Sequence, residues 1–111
     1  MYTSISVEDL ALRLAEGDRD LQLIDVREAQ EIEIAYIEGF QVFSLGEAQQ
    51  WSPHIGSRLN PKAETLVLCH HGVRSAQMCQ WLSDQGFTNV KNISGGIDAY
   101  SLLVDPTVPR Y

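Results

Sequence analysis

Short apolar stretches alternate with helical segments along this chain, and this alternation is the feature that most constrains its fold. Residues 21–26 and 65–69 are the most apolar stretches, and further strands are predicted at 40–45 and 90–94. Strands that alternate with helices form an open, mostly parallel sheet with helices on both faces. The sequence therefore predicts an α/β fold.

Helices are predicted from the spacing of apolar residues and from the residues that begin and end each segment. Apolar residues recur at helical spacing after Ser6, whose hydroxyl can cap a helix, and Gly17 can end that helix. Further helical segments are predicted at 28–35, 46–56, 75–85 and 96–104, although a proline disfavours the second half of 46–56. Ser75 is the predicted N-cap of the fourth helix.

The chain has 111 residues, enough for one hydrophobic core and too few for two. Residues 1–105 are therefore predicted to form one domain. Residues 106–111 are predicted to form a C-terminal tail, which we expect to be extended and less ordered because it contains Pro106 and Pro109.

Charge and apolar content restrict the partners and the location. Fifteen acidic residues against eight basic ones give a net charge of −7, without any basic run. Such a surface repels nucleic acids and anionic membranes, so neither is a predicted partner. No apolar stretch approaches the roughly 18 residues of a membrane span. The first four residues lack the basic and apolar regions of a secretory signal, so we expect a cytoplasmic location.

Two cysteines, Cys69 and Cys79, lie ten positions apart. A disulfide is disfavoured in a cytosolic chain. The spacing matches no zinc motif, and the histidines do not complete one, so no metal and no other cofactor is predicted. At least one cysteine is therefore free to react.

The segment after the second apolar strand has the composition of a reactive-cysteine loop. It consists of Cys69, His70, His71, Gly72, Val73, Arg74 and Ser75. Successive backbone N–H groups before a helix can bind an anion, and Gly72 lets the loop curl around the sulfur. The fork-shaped guanidinium of Arg74 suits a tetrahedral oxyanion. These features favour a thiolate on Cys69.

Several of these residues have two interpretations. Cys69 alone could be a buried core residue, but the residues after it favour a reactive thiol. His70 and His71 are either donors near the sulfur or solvent-exposed loop residues. Cys79 lies on an apolar helix face, which favours packing over a resolving role.

Asp25 and Arg27 end the first apolar strand at the same predicted sheet edge as Cys69. They are predicted to support the site as an ion pair that satisfies loop backbone groups, with direct substrate contact as the alternative.

At these residues the chain resembles the rhodanese-like sulfurtransferases, in four segments that follow one another in the family's order. Residues 23–28 with Glu31 resemble its "(L/I)(I/L)DVRxxxE" element, 37–39 its "GHIPGA" turn, 69–75 its active-site loop, and 94–97 with Tyr100 its "GG(x)xxW" element. The chain departs from the family at Tyr36 and Phe40 in the turn, and at Tyr100, which replaces a tryptophan. These departures could alter the walls of the pocket.

The resemblance implies a three-layer α/β/α sandwich with a mostly parallel five-stranded sheet. It also implies a thiosulfate sulfurtransferase activity, in which Cys69 takes a sulfane sulfur as a persulfide. The implied partners are a small sulfur donor and an acceptor, either cyanide or a thiol, including a thiol on a protein. Arg74 would orient the sulfonate end of the donor.

Two alternatives remain open at this point. The same fold serves phosphatases, whose loop places five residues between cysteine and arginine as the family is generally understood, whereas four separate Cys69 from Arg74 here. A tighter loop suits a single sulfur atom and favours sulfur transfer. The second alternative is a non-catalytic module that binds an anion or a partner, and the intact cysteine and arginine disfavour it.

Overall fold

Five parallel strands form the centre of the protein in a computed structural model that describes residues 1–111. In spatial order β1-β5-β4-β2-β3, the sheet has the mostly parallel arrangement that the alternating pattern predicted. The strands are β1 (Thr3–Ile5), β2 (Gln22–Asp25), β3 (Gln41–Val42), β4 (Thr65–Leu68) and β5 (Val90–Ile93). The first strand was not predicted, because its three residues include an exposed threonine and serine and show no apolar run.

Helices cover both faces of the sheet and complete the three-layer α/β/α sandwich. They are α1 (Val7–Glu16), α2 (Ala29–Ile34), α3 (Ala48–Trp51), α4 (Ile55–Arg58), α5 (Val73–Asp84) and α6 (Gly96–Leu103). One apolar cluster packs α5 and the α3–α4 region against the sheet, and a second packs α1 and α6 against the other face. The expected fold class is therefore confirmed. None of the helices is long and apolar enough to cross a membrane.

The central strand β4 is buried along its whole length, which explains why its sequence is continuously apolar instead of alternating. It pairs with β2 on one side and with β5 on the other. Asp25 lies opposite Leu68, so the two strands end together at one edge of the sheet. The residues that directly follow β2 and β4, including Arg27 and Cys69, therefore lie at this edge.

The ends of the helices show which local predictions hold. Ser6 accepts a hydrogen bond from the backbone N–H of Asp9 at 3.1 Å, and Gly17 ends α1 at φ 69°. The predicted N-cap at Ser75 is wrong, because α5 begins at Val73 with Gly72 as its N-cap and Ser75 lies buried inside the first turn. The predicted helix 46–56 is divided into short turns, with Pro53 inside a 3₁₀ turn.

The tail 106–111 has no helix or strand, but it packs on the domain, which differs from the expected lower order. Val108 is buried in the second apolar cluster, and its carbonyl oxygen accepts a hydrogen bond from the Ser101 hydroxyl. Arg110 Nε lies 3.0 Å from Asp98 Oδ1. The local composition of the tail does not show these contacts, because their partners lie in other elements, with both polar partners in α6.

Candidate active site

Cys69 directly follows β4 and lies at the carboxyl edge of the sheet, where the sequence placed it. The residue is only 1% exposed. Its Sγ accepts a hydrogen bond from the backbone N–H of Gly72 at 3.0 Å, and Ser75 Oγ lies 3.2 Å away. The loop makes this turn because Gly72 has φ 102°, in the left-handed region that favours glycine. The N-terminus of α5 follows at once and adds partial positive charge near the sulfur.

Asn92 holds the back of this loop, and it was not among the predicted site residues. Its Oδ1 accepts a hydrogen bond from Ser75 Oγ at 2.5 Å, and its Nδ2 donates to the carbonyl oxygen of Gly72 at 3.0 Å. Ser75 is therefore a buried link between Cys69 and β5. An amide side chain directly before the buried Ile93, near the carboxyl end of β5, was the signal that could have identified Asn92.

The turn between β5 and α6 packs directly beneath the loop. The backbone N–H groups of Ile97 and Asp98 donate to the carbonyl oxygens of Cys69 and His70 at 2.9 and 3.1 Å. A Cβ atom on Gly96 would lie 2.5 Å from the Cys69 carbonyl oxygen and even closer to that of His70. The absence of a side chain at Gly96 therefore permits the close approach of the two backbones.

Arg74 is bound to an acid instead of projecting freely toward a donor. Its Nη1 and Nη2 donate to Glu31 Oε1 and Oε2 at 2.6 and 2.8 Å, a bidentate ion pair. The hydrogen bond from Arg74 lowers the pKa of Glu31 to about 2, and the same bond raises the pKa of Arg74. Glu31 was noticed as part of a motif, but no role in the site was predicted for it.

Asp25 and Arg27 form a buried ion pair below the loop. Arg27 Nη2 donates to Asp25 Oδ2 at 2.8 Å and to the carbonyl oxygen of Ala35 at 2.9 Å. Although burial lowers it, the hydrogen bonds to Asp25 and Tyr111 leave the pKa of Arg27 above its ordinary value. These contacts match the supporting role that the sequence suggested and leave neither side chain exposed to a substrate.

The two histidines differ in their surroundings. His70 is half-buried, its Nε2 has no hydrogen-bond partner, and burial lowers its pKa. His71 is exposed, and its ring lies 3.8 Å from that of His70. Ligand atoms of His70, His71 and Asp98 lie within 4.8 Å of one another and are the group that could hold a metal ion. Asp98, however, already pairs with Arg110.

Tyr111 lies against the active-site loop, although the sequence gave no reason to expect it there. Its ring stacks on that of His70 with centroids 3.9 Å apart and planes 7° apart. Its hydroxyl donates to Glu31 Oε2 at 2.8 Å and accepts from Arg27 Nη1 at 3.0 Å. The last residue of the sequence thus contacts three residues around the site.

The remaining predicted residues lie apart from the sulfur's polar contacts. Val73 begins α5 with an exposed side chain. Cys79 is buried in the first apolar cluster, and burial raises its pKa to about 12. A thiol in such surroundings is unreactive, which agrees with a packing role.

Comparison with known proteins agrees with this geometry. The rhodanese-like domain profile matches residues 6–103. A rhodanese-like domain protein of Staphylococcus aureus has the same fold, with a TM-score of 0.77, 25% identity and 98% of each chain covered.

Two curated relatives are similar in sequence. The chain is 56% identical over 92 residues to the rhodanese-like/PpiC domain-containing protein 12, chloroplastic, of Arabidopsis thaliana, covering 83% of this chain and 31% of that protein. It is 32% identical over 101 residues to a sulfurtransferase of Allochromatium vinosum, covering 91% of this chain and 90% of that one. The chain spans less than a third of the length of the first three curated relatives that it matches. On the match over residues 6–103, the chain belongs to the rhodanese-like domain family.

Proposed function

We propose that this protein is a sulfurtransferase that carries a sulfane sulfur as a persulfide on Cys69. The observation that carries the proposal is the hydrogen bond of 3.0 Å from the Gly72 N–H to Cys69 Sγ, at the start of α5. Both features stabilise negative charge on the sulfur. The sulfurtransferase of Allochromatium vinosum, matched over nearly its whole length, supports the same activity.

The donor in this proposal is thiosulfate, and the reaction proceeds in two displacement steps. The Cys69 thiolate attacks the outer sulfur of thiosulfate, a new S–S bond forms, and the old S–S bond breaks as sulfite leaves with its electron pair. An acceptor, cyanide or a thiol, then attacks the outer persulfide sulfur and releases the Cys69 thiolate. Thiocyanate or a new persulfide is the product, and neither step needs an external oxidant or a cofactor.

Each group in the site has a task in these steps. The Gly72 N–H and the N-terminus of α5 face the sulfur of Cys69. They would stabilise the thiolate before it attacks the donor and again when the acceptor releases it. Arg74 would attract the sulfonate end of the donor once its pairing with Glu31 is released. A thiol on a partner protein could serve as acceptor in the same geometry, because the second step requires only a nucleophilic sulfur.

Intact mass after incubation with thiosulfate tests the proposal. We expect the wild-type protein to gain the mass of one sulfur atom and the Cys69→Ser variant to gain none, because a serine hydroxyl is not ionised at neutral pH. Cys79→Ser is the matched control and should load normally, since Cys79 is buried and makes none of the polar contacts of Cys69. Thiocyanate formation that persists in Cys69→Ser would refute the assignment.

The phosphatase alternative is tested on the same samples with an activated aryl phosphate. Because only four residues separate Cys69 from Arg74, we expect no appreciable turnover by the wild-type protein. Phosphate release that equals or exceeds sulfur transfer and disappears in Cys69→Ser would favour a phosphatase instead.

A further inference from the structure

Tyr111 connects the tail to both sides of the active-site loop. On one side its ring stacks on His70, the residue directly after Cys69. On the other side its hydroxyl lies between Arg27 and Glu31, and Glu31 holds both terminal nitrogens of Arg74. One side chain therefore restrains the loop and the residue that positions its arginine.

The site is closed in this arrangement. Cys69 is 1% exposed, and none of the four surface cavities is lined by a residue of the loop 69–75. Glu31 also occupies one N–H donor on each terminal nitrogen of Arg74. A donor can reach the sulfur only if part of this cover moves.

Tyr111 can move without disrupting a helix or a strand. The tail has no helix or strand, and 36% of Tyr111 is exposed. By contrast, Gly72 and Ser75 are held from behind by Asn92, and Arg27 is buried. Displacing Tyr111 uncovers the His70 ring and removes the hydroxyl that restrains Glu31.

We propose that Tyr111 is a removable cover on the active-site loop that determines access to Cys69. With the ring in place, its stack on His70 holds the loop closed beside Cys69. With the ring displaced, His70 loses its stacking partner, and the loop can open at Cys69. The effect on access to Cys69 is independent of the proposed function, whereas its consequence for thiosulfate turnover rests on that function.

The test is the rate at which Cys69 is alkylated, measured by mass spectrometry with iodoacetamide and with a bulkier maleimide. Tyr111→Ala removes the stack and both hydrogen bonds, whereas Tyr111→Phe keeps the ring and removes only the hydroxyl. Tyr2→Phe is the matched control, because Tyr2 precedes the amino end of β1 at the opposite edge of the sheet. Alkylation of Cys79, which is fully buried, reports unfolding in every sample.

We expect Tyr111→Ala to raise the alkylation rate of Cys69 about tenfold and Tyr111→Phe about threefold, given the usual strength of a stacked pair and of a hydrogen bond. The increase should be larger for the maleimide than for iodoacetamide, because a cover discriminates by size. Tyr2→Phe should leave both rates unchanged. In steady-state assays with thiosulfate, Tyr111→Ala should lower KM more than it changes kcat.

Cys69 alkylation within twofold of wild type in both Tyr111 variants would overturn the proposal, as would an equal increase for both reagents. If Cys79 is also labelled in Tyr111→Ala, that variant has unfolded and the comparison of Tyr111→Phe with wild type decides. If none of the proteins loads sulfur but the expected alkylation rates are observed, the proposed function is refuted and the role of Tyr111 as a cover is still supported.

Discussion

At the scale of single residues, the pairing of Arg74 with Glu31 determines what substitutions in the site will do. Arg74 was expected to meet the donor directly, but the structure shows it bound to a carboxylate by two short hydrogen bonds. In the proposed reaction the guanidinium would therefore exchange the Glu31 carboxylate for the anionic end of the donor. Its planar fork, and not only its charge, is adapted to both partners.

We expect Arg74→Ala to raise the KM for thiosulfate at least about tenfold, since a charge-assisted hydrogen bond to the donor is lost. Arg74→Lys should recover only part of this loss, because an ammonium group cannot reproduce the bidentate geometry. Steady-state kinetics of the three proteins measure both effects. Identical KM values would mean that the loop N–H groups alone bind the donor.

At the scale of elements, the turn between β5 and α6 sets the position of the active-site loop. Gly96 has φ 61°, and its missing side chain lets the turn approach the backbone of Cys69 and His70. The Ile97 and Asp98 N–H groups then bind the two carbonyl oxygens. The reactive residue is thus supported by an element that carries no catalytic group.

Gly96→Ala should destabilise the protein by about 3 kcal/mol, because the new Cβ combines left-handed strain with a backbone overlap. Gly17→Ala is the matched control: Gly17 has φ 69°, but nothing lies within 4 Å of a Cβ placed there. It should cost only about 1 kcal/mol. Urea unfolding followed by tryptophan fluorescence measures both, and equal losses would show that the close approach is unimportant.

At the scale of the whole molecule, Glu64 ties elements that are distant in sequence. Its carboxylate binds Arg13 of α1 at 2.7 Å and Lys91 of β5 at 2.7 Å, at the end of the sheet opposite the site. The hydrogen bond from Arg13 is the main reason why the pKa of Glu64 falls from 4.5 to about 2. A lowered pKa in the folded state means that the carboxylate stabilises the fold when it is ionised.

This stabilisation is present above pH 4.5 and is lost as the pH falls toward 2, when Glu64 becomes protonated in the folded state. Glu64→Gln should therefore lower the free energy of unfolding at pH 7 by about 2 kcal/mol. Its stability should also fall less steeply than that of wild type between pH 4.5 and 2.

The pKa of Glu31 is also lowered to about 2, so part of the pH dependence of stability will remain in Glu64→Gln. Glu33→Gln is the control, because Glu33 is exposed and outside any ion pair. Thermal unfolding across this pH range measures the difference. Parallel curves for Glu64→Gln and wild type would contradict the assignment.

The sequence by itself determined the features that depend on neighbouring residues. Four of the five strands, the ends of α1 at Ser6 and Gly17, and the turn at Gly72 were predictable, because apolar runs, hydroxyl caps and glycines act over a few residues. The position of Cys69 at the end of an apolar strand also placed it at the carboxyl edge of a parallel sheet. These signals are local, and they were sufficient for the fold class.

The tertiary structure alone decided which side chains surround the sulfur. Ser75 was predicted to cap a helix, but it is buried between Cys69 and Asn92. Asn92, which lies 17 positions away, accepts its hydrogen bond. Tyr111 binds Glu31 across 80 positions, so the composition of the tail did not reveal its place in the site. Contacts of this range form only when the sheet brings strands and helices together, and they leave no periodic pattern in the sequence.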